Sequence, residues 1–287
     1  MSTIALVGLL FAAMLHAYWN FLLKRSQNRV AHPALAMLIA SIVLVIPALS
    51  TLQSIPLEGW GLIAISAVFQ ATYMLALGAA YQGGQLSVSY PISRGSTPLF
   101  TVLGAVLFVS ERISLLGGIG IALTVLGIYV LHLPALNQGW LTPINALANR
   151  PAQAALLSGA LAAGYSNVDK LGVAQVSPPL YMCLTFGLAA ALLLPYLLVN
   201  QRAAVLAEWR ENWRGVLLTG LLLVIGYQII LFALTVTKVS YATAVRGASV
   251  VFGALLGMVA LKEGLSPTRV LGALVIFIGI ACIGLAE

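Results

Sequence analysis

Charge is what this sequence has least of. Only 7% of its 287 residues are Asp, Glu, Lys or Arg, and seven are acidic, against about 25% charged in an ordinary soluble domain. A solvated globular surface is excluded. The three histidines are widely spaced, so neighbouring positions offer no histidine ligand set, and no metal or cofactor is expected. Cys183 and Cys282, the two cysteines, both lie inside apolar runs, which argues against a disulfide framework and leaves them as packing residues. The chain also lacks G-x-S-x-G, H-E-x-x-H and paired carboxylates within apolar runs. The reacting groups that would mark a membrane enzyme are therefore missing.

What is present is apolar surface: 61% of residues are hydrophobic and the mean hydropathy is +1.03. A spanning helix takes about 20 residues. Apolar runs between charge and Pro/Gly punctuation place spans at 4–23, 33–51, 60–80, 87–109, 115–133, 152–171, 179–199, 215–235, 240–261 and 267–285. The expected fold is an all-α polytopic membrane protein with ten spans, embedded in lipid. The first run ends in Lys24 and Arg25 rather than in a small-residue cleavage site, so it reads as a retained helix and not as a cleaved signal peptide. The net charge of +7 comes from basic residues scattered between apolar runs. They form no stripe for nucleic acid and act instead as topology signals. Most of them fall in the loops opposite the termini, among them Arg25, Arg29, Arg150, Arg202, Arg210 and Arg214. The positive-inside rule then puts both termini outside the cytoplasm.

The longest polar interruption falls at the middle of the chain, which prompts a search for a repeat. An offset of 152 residues lays "RGSTPLFTVLGAVLFVSERIS" on "RGASVVFGALLGMVALKEGLS". Arg94 falls on Arg246, Phe100 on Phe252, Glu111 on Glu263, Ser114 on Ser266, Gly120 on Gly272 and Gly127 on Gly279. Shared hydrophobicity does not produce an arginine and a glutamate 17 residues apart in each half. Five spans per half is an odd number, so the copies enter the membrane from opposite sides and are expected to enclose a central cavity.

With "HAYWNFLLKRS" in the first span, "SYPISRGSTPLF" through "SERIS" in the fourth and fifth, and "VSYATAVRGASVVFGALLGMVALKEGLS" near the end, the sequence resembles the drug/metabolite transporter superfamily, EamA type. The resemblance implies two inverted five-helix repeats, at 3–137 and 152–286, transport of a small solute and, against the charge count, both termini inside the cytoplasm. It is similar above all to bacterial amino-acid exporters, including those for aromatic amino acids. It therefore implies a monomeric secondary transporter of the bacterial inner membrane that exports amino acids or similar metabolites by alternating access. The alternative is a polytopic membrane enzyme or an efflux pump for other organic solutes or drugs. The family's cationic-drug pumps carry an acid in their first helix, where this chain has His16 and Lys24.

The residues themselves point to a cavity. His16, Asn20 and Lys24, at i, i+4 and i+8, share a helix face with Trp19 beside them. A polar stripe on a membrane helix must face protein or water, although Lys24 is also placed to snorkel. The third span carries Gln70, Tyr73 and Tyr81 on one face, and the sixth carries Tyr165, Asp169 and Lys170. Adjacent Asp169 and Lys170 point about 100° apart; Lys170 is the one expected in the cavity. These nine residues, from His16 to Lys170 without Asp169, are the candidate substrate contacts. Arg94, Arg246, Asp169, Glu111 and Glu263 are candidate gate or structural charges. Pro98 frees the Arg94 carbonyl, so a broken helix is expected beside Arg94. Gly253 and Gly257 form a G-x-x-x-G, expected to mark close helix packing.

Overall fold

In the computed structural model, residues 1–83, 86–133, 140–141, 145, 147–261 and 266–286 are described, the side chains of 82–83, 86–91 and 257–261 excepted. The described residues form helices throughout: α1 (Thr3–Arg25), α2 (Ala31–Val43), α3 (Val45–Ser50), α4 (Leu57–Gly83), α5 (Leu86–Phe108), α6 (Leu115–Leu131), α7 (Arg150–Gly172), α8 (Pro178–Asn200), α9 (Arg202–Val236), α10 (Val239–Arg246), α11 (Ser249–Leu261) and α12 (Pro267–Leu285). Among the described residues, six helical stretches are long and apolar enough to cross a membrane: Thr3–Arg25, Leu57–Tyr81, Pro178–Asn200, Arg202–Val236, Val239–Leu256 and Pro267–Leu285. Ala31–Val43, Ile92–Phe108 and Leu115–Leu131 are shorter apolar helices. Absent from both sets is α7, the helix with the run "GYSNVDKLG". Its polar side chains point inward: Ser158, Ser166, Asn167 and Asp169 are all buried.

Packing runs mostly between the halves rather than within them. Helix α4 lies on α7 and α8, α5 on α7, α2 on α8 and α9, α1 on α9 and α11, and α6 on α12. The pairs α4–α7 and α9–α1 exchange under the sequence repeat, and so do α2–α9 and α8–α4. The α2–α8 and α6–α12 pairs each join equivalent helices. A pseudo-twofold therefore relates the contacts, as the repeat requires. At its sharpest this is a glycine interface. A Cβ on Gly120 would come 2.6 Å from the Gly279 carbonyl, and one on Gly127 would come 2.8 Å from the Gly272 carbonyl. Because 120 pairs with 279 and 127 with 272, α6 and α12 run antiparallel with backbones in contact. Close packing does not extend to Gly253, where an added Cβ meets nothing within 4 Å. Both termini lie on one face, the N-terminal ammonium 3.0 Å from the Ala286 carbonyl.

Serines start α1, α6 and α12, with Ser2, Ser114 and Ser266 accepting from the amides of Ala5, Gly117 and Arg269. After α5 the chain turns through Ser110 in the left-handed region, φ 57°. That turn carries Glu111 to the start of α10 in the other half. Its carboxylate accepts from the Val239 amide at 2.6 Å and from the Ser240 hydroxyl at 2.6 Å. Lys238 donates to the Arg112 carbonyl at 2.6 Å beside it. The acid is thus a cap for α10, a structural role. Glu263, its repeat partner, lies outside the described residues, as does Lys262.

Two expectations about helix ends change. The run "NQRAAVLAEWRENWRG" is polar in sequence but helical in the structure, joined to the following span across a kink at Asn212 (φ −126°, ψ 23°). Glu208 explains this. It is fully buried, bonds His32 Nδ1 at 2.8 Å and accepts from the Gln27 and Asn28 amides at 3.0 and 3.1 Å. Trp209 and Trp213 remain exposed on the same helix, as aromatic residues do at a membrane interface. The second change concerns Arg94, around which α5 continues unbroken; the helix break falls at Gly247–Ala248, directly after Arg246. Neighbouring helices tolerate the carbonyl freed by Pro98.

Gly120→Ala tests the glycine interface. Alanine gains about 1 kcal/mol of helix propensity, but a backbone carbonyl cannot move aside, and overpacking costs about 1–3 kcal/mol. Thermal unfolding in detergent should show G120A less stable than the parent and Gly61→Ala, where nothing lies within 4 Å, equal or more stable. Glu111→Ala should cost about 1–2 kcal/mol in the same measurement by uncapping α10, with Glu111→Gln between the two because its amide oxygen still accepts one bond.

Candidate substrate site

Helix α1 contributes a self-ordered group. The Trp19 indole donates to His16 Nδ1 at 3.1 Å with the rings edge-on at 4.9 Å, and Asn20 Nδ2 donates to the His16 carbonyl at 2.7 Å. Trp19 is buried, while His16 and Asn20 are half-buried. Lys24, two turns further, is exposed in the last turn of α1. The snorkelling alternative fits that position better than the cavity does.

A row of tyrosine rings crosses from one half to the other. Arg94 on α5 donates through Nη2 to the Tyr73 hydroxyl of α4 at 3.2 Å. The Tyr73 ring meets Tyr165 of α7 at 5.7 Å, and Tyr165 meets Tyr227 of α9 at 6.3 Å. The Arg246 guanidinium lies over the Tyr227 ring, 5.9 Å from its centroid, a cation–π distance. Phe186 closes the row against Tyr227 at 5.3 Å. Two residues paired by the sequence repeat therefore approach one aromatic centre, each from its own half.

Beneath the row lies Asp169, fully buried. Its Oδ1 accepts from the Ser66 hydroxyl at 2.5 Å and the Tyr181 hydroxyl at 2.9 Å, and its Oδ2 accepts from the Tyr227 hydroxyl. Gln70 reaches this group through Ser66, donating to its oxygen at 3.1 Å. Neighbouring Lys170 turns the other way and donates to the carbonyls of Leu234 and Thr237 at 2.5 and 2.9 Å. It closes the C-terminal end of α9, where unpaired carbonyls welcome a cation. The divergence of the adjacent pair follows helix geometry, but the acid and not the lysine faces the centre. Tyr81 packs against both the main core and a small cluster of Ala80, Ile92, Ala152 and Ala155, with Arg29 donating to its carbonyl at 2.7 Å.

Gln70, Tyr73, Tyr165, Arg94, Arg246 and Asp169 are thus joined at this centre; His16, Trp19 and Asn20 form a group of their own on α1, Lys24 is exposed, and Lys170 is engaged at the end of α9. Sequence reasoning missed Tyr227, Tyr181 and Ser66. A signal for Tyr227 existed: "GYQ" at 226–228 interrupts an apolar run of the eighth span, much as Gln70 and Tyr73 interrupt the equivalent third span. A cavity of about 410 Å³, lined by Met14, Leu15, Tyr18, Phe252, Leu255 and Leu256, opens between α1 and α11. Its wall is almost wholly apolar and holds none of the polar groups above.

No curated protein matches this sequence. One solved crystal structure superposes with a TM-score of 0.73 at 17% sequence identity, covering 98% of this chain and 95% of the other; at that identity the likeness concerns the fold. The model of the EamA-like transporter family matches twice, at residues 3–133 and 150–285. Such a double match, over two copies of one helical unit that meet at a polar and aromatic centre, leaves little of the chain unaccounted for. This integral membrane protein belongs to the EamA-like transporter family.

Proposed function

We propose that the chain is a secondary transporter of the bacterial inner membrane that exports amino acids or similar small metabolites by alternating access of its two repeats. In this reading α2 and α3 form one span, α10 and α11 another, and the helices make ten spans in two units, 3–137 and 152–286. The observation that carries it is the approach of Arg94 and Arg246 to one row of tyrosines supplied by both halves. A substrate held there touches both repeats, as rocking of one against the other demands. Guanidinium groups offset the cost of desolvating a carboxylate and bind it with two parallel hydrogen bonds. Tyrosine faces take apolar side chains of varied shape, so selectivity is modest. His16, Trp19, Asn20, Gln70, Tyr73 and Tyr165 are the proposed lining together with the two arginines, and the monomer suffices because one chain supplies both halves.

Liposomes containing the protein, offered amino acids, organic acids and quaternary ammonium dyes, provide the test. Movement of amino acids is expected; dye efflux without it would sink the reading. Arg94→Gln and Arg246→Gln should each raise KM for a carboxylate substrate about tenfold or more, since a hydrogen bond to a charged group is worth ~1.5–3 kcal/mol. Orientation is checked by fusions to the C-terminus. With the termini outside the cytoplasm, a fused alkaline phosphatase is active and a fused green fluorescent protein is dark.

A further inference from the structure

Asp169 is a carboxyl group inside a membrane bundle. Buried carboxylates are costly unless hydrogen-bonded and paired, and within membrane spans they mark function. Here the donors come from three other helices: Ser66 of α4, Tyr181 of α8 and Tyr227 of α9. All three are neutral hydroxyls. Arg246 of α10 lies over the ring of Tyr227, whose hydroxyl bonds the carboxylate. Lys170 on its own helix points to the α9 carbonyls. Helix α5 meets α7 through Ser93–Ser158 and Thr101–Asn167 hydrogen bonds, and its Arg94 bonds Tyr73.

Hydroxyl partners differ from a cation in one respect: each can either donate or accept. An ionised Asp169 takes all three O–H groups as donors. When one proton binds at Oδ2, the acid O–H donates to the Tyr227 oxygen, and the phenol hydrogen must leave Asp169 and turn elsewhere. No other bond changes. The Tyr227 ring lies under Arg246 and against Tyr165, so that turn occurs at the edge of the aromatic centre. A salt bridge to Lys or Arg would hold the acid ionised; a shell of hydroxyls accommodates both protonation states.

We propose that Asp169 is the proton-binding site that couples transport to a pH gradient, and that the Tyr227 hydroxyl carries its protonation state to the Arg94–Arg246 centre. The assignment rests on the transporter reading above and adds to it the source of energy and its location. His16, whose Nδ1 accepts from the Trp19 indole, is the residue it passes over.

Two measurements on the full chain test it. In lipid nanodiscs without substrate, infrared difference spectra on acidification should show a carboxylic-acid C=O component present in the parent and in His16→Gln but missing from Asp169→Asn; identical C=O bands in the parent and D169N overturn the assignment. In proteoliposomes with radiolabelled phenylalanine, a gradient of one pH unit should drive about tenfold accumulation if one proton is coupled per molecule, with the effective polarity read by imposing the gradient both ways. D169N, whose amide mimics the protonated acid, should keep phenylalanine-for-phenylalanine exchange and lose accumulation. Tyr227→Phe should keep the infrared band and lose accumulation too. Gradient-driven accumulation that persists in D169N, or a parent protein that exchanges phenylalanine but ignores the gradient, rejects proton coupling at Asp169, and full accumulation in Y227F rejects the Tyr227 link. If the parent exchanges no amino acid, the amino-acid reading fails, while the infrared result still decides whether Asp169 binds the proton.

Discussion

Hydrocarbon offers no hydrogen bonds, and every polar group that this chain buries must find its partner within the protein. That constraint organises the structure. The acids take bonds from groups that can donate without carrying charge: Glu111 from a helix N-terminus, Asp169 from three hydroxyls, Glu208 from two loop amides as well as from His32. The cations Lys170, Lys238 and Arg29 give theirs to backbone carbonyls. Helix ends and loops, where unpaired amides and carbonyls gather, therefore anchor the scarce charges. Each such contact joins segments far apart in sequence, so satisfying the charges also locks the helices to one another.

The same contacts knit the halves together. Because α4, α5 and α6 lean on α7 and α12, and α1 and α2 on α9 and α8, neither repeat has a core of its own. A unit that buries its polar stripe only against its inverted copy cannot be a separate domain in the folding sense, even though the sequence divides cleanly at the midpoint. The glycine contacts along α6 and α12 show how this symmetry is enforced: backbone approach on both sides of the pseudo-twofold leaves no room for a shift in register.

How much of this was legible beforehand depends on whether a feature lives in periodicity or in direction. Gly120, Gly127, Gly272 and Gly279 were visible as repeat partners, and so were Arg94 and Arg246, because equivalence needs only an offset. The apolar runs located the helices, but not the amphipathic start of α9, whose stability comes from Glu208 meeting a loop 180 residues away. Asp169 and Lys170 could be separated in direction by helix geometry, yet which of them faced inward depended on Ser66, Tyr181 and Tyr227, donors contributed by other helices. The helix break was expected beside Arg94 because proline is the visible breaker. It lies instead at Gly247, where the chain turns with an amide-to-carbonyl bond from Gly247 back to Ala244 at 2.9 Å.

That displaced break makes the two arginines unequal. Arg94 rides on a continuous helix and bonds a tyrosine hydroxyl; Arg246 ends a short helix capped from the other half by Glu111, and lies over a tyrosine that is itself tied to Asp169. A symmetric pair of cations in an inverted repeat would present the same face to both sides of the membrane. Here one member sits on a continuous helix, while the other ends a short helix whose N-terminus is fastened by the α5–α6 connection. Helix α10 also packs directly on α5 and α6, so that fastening is one of several contacts between them. The repeat thus brings an arginine to the tyrosine row from each half without making the two settings identical.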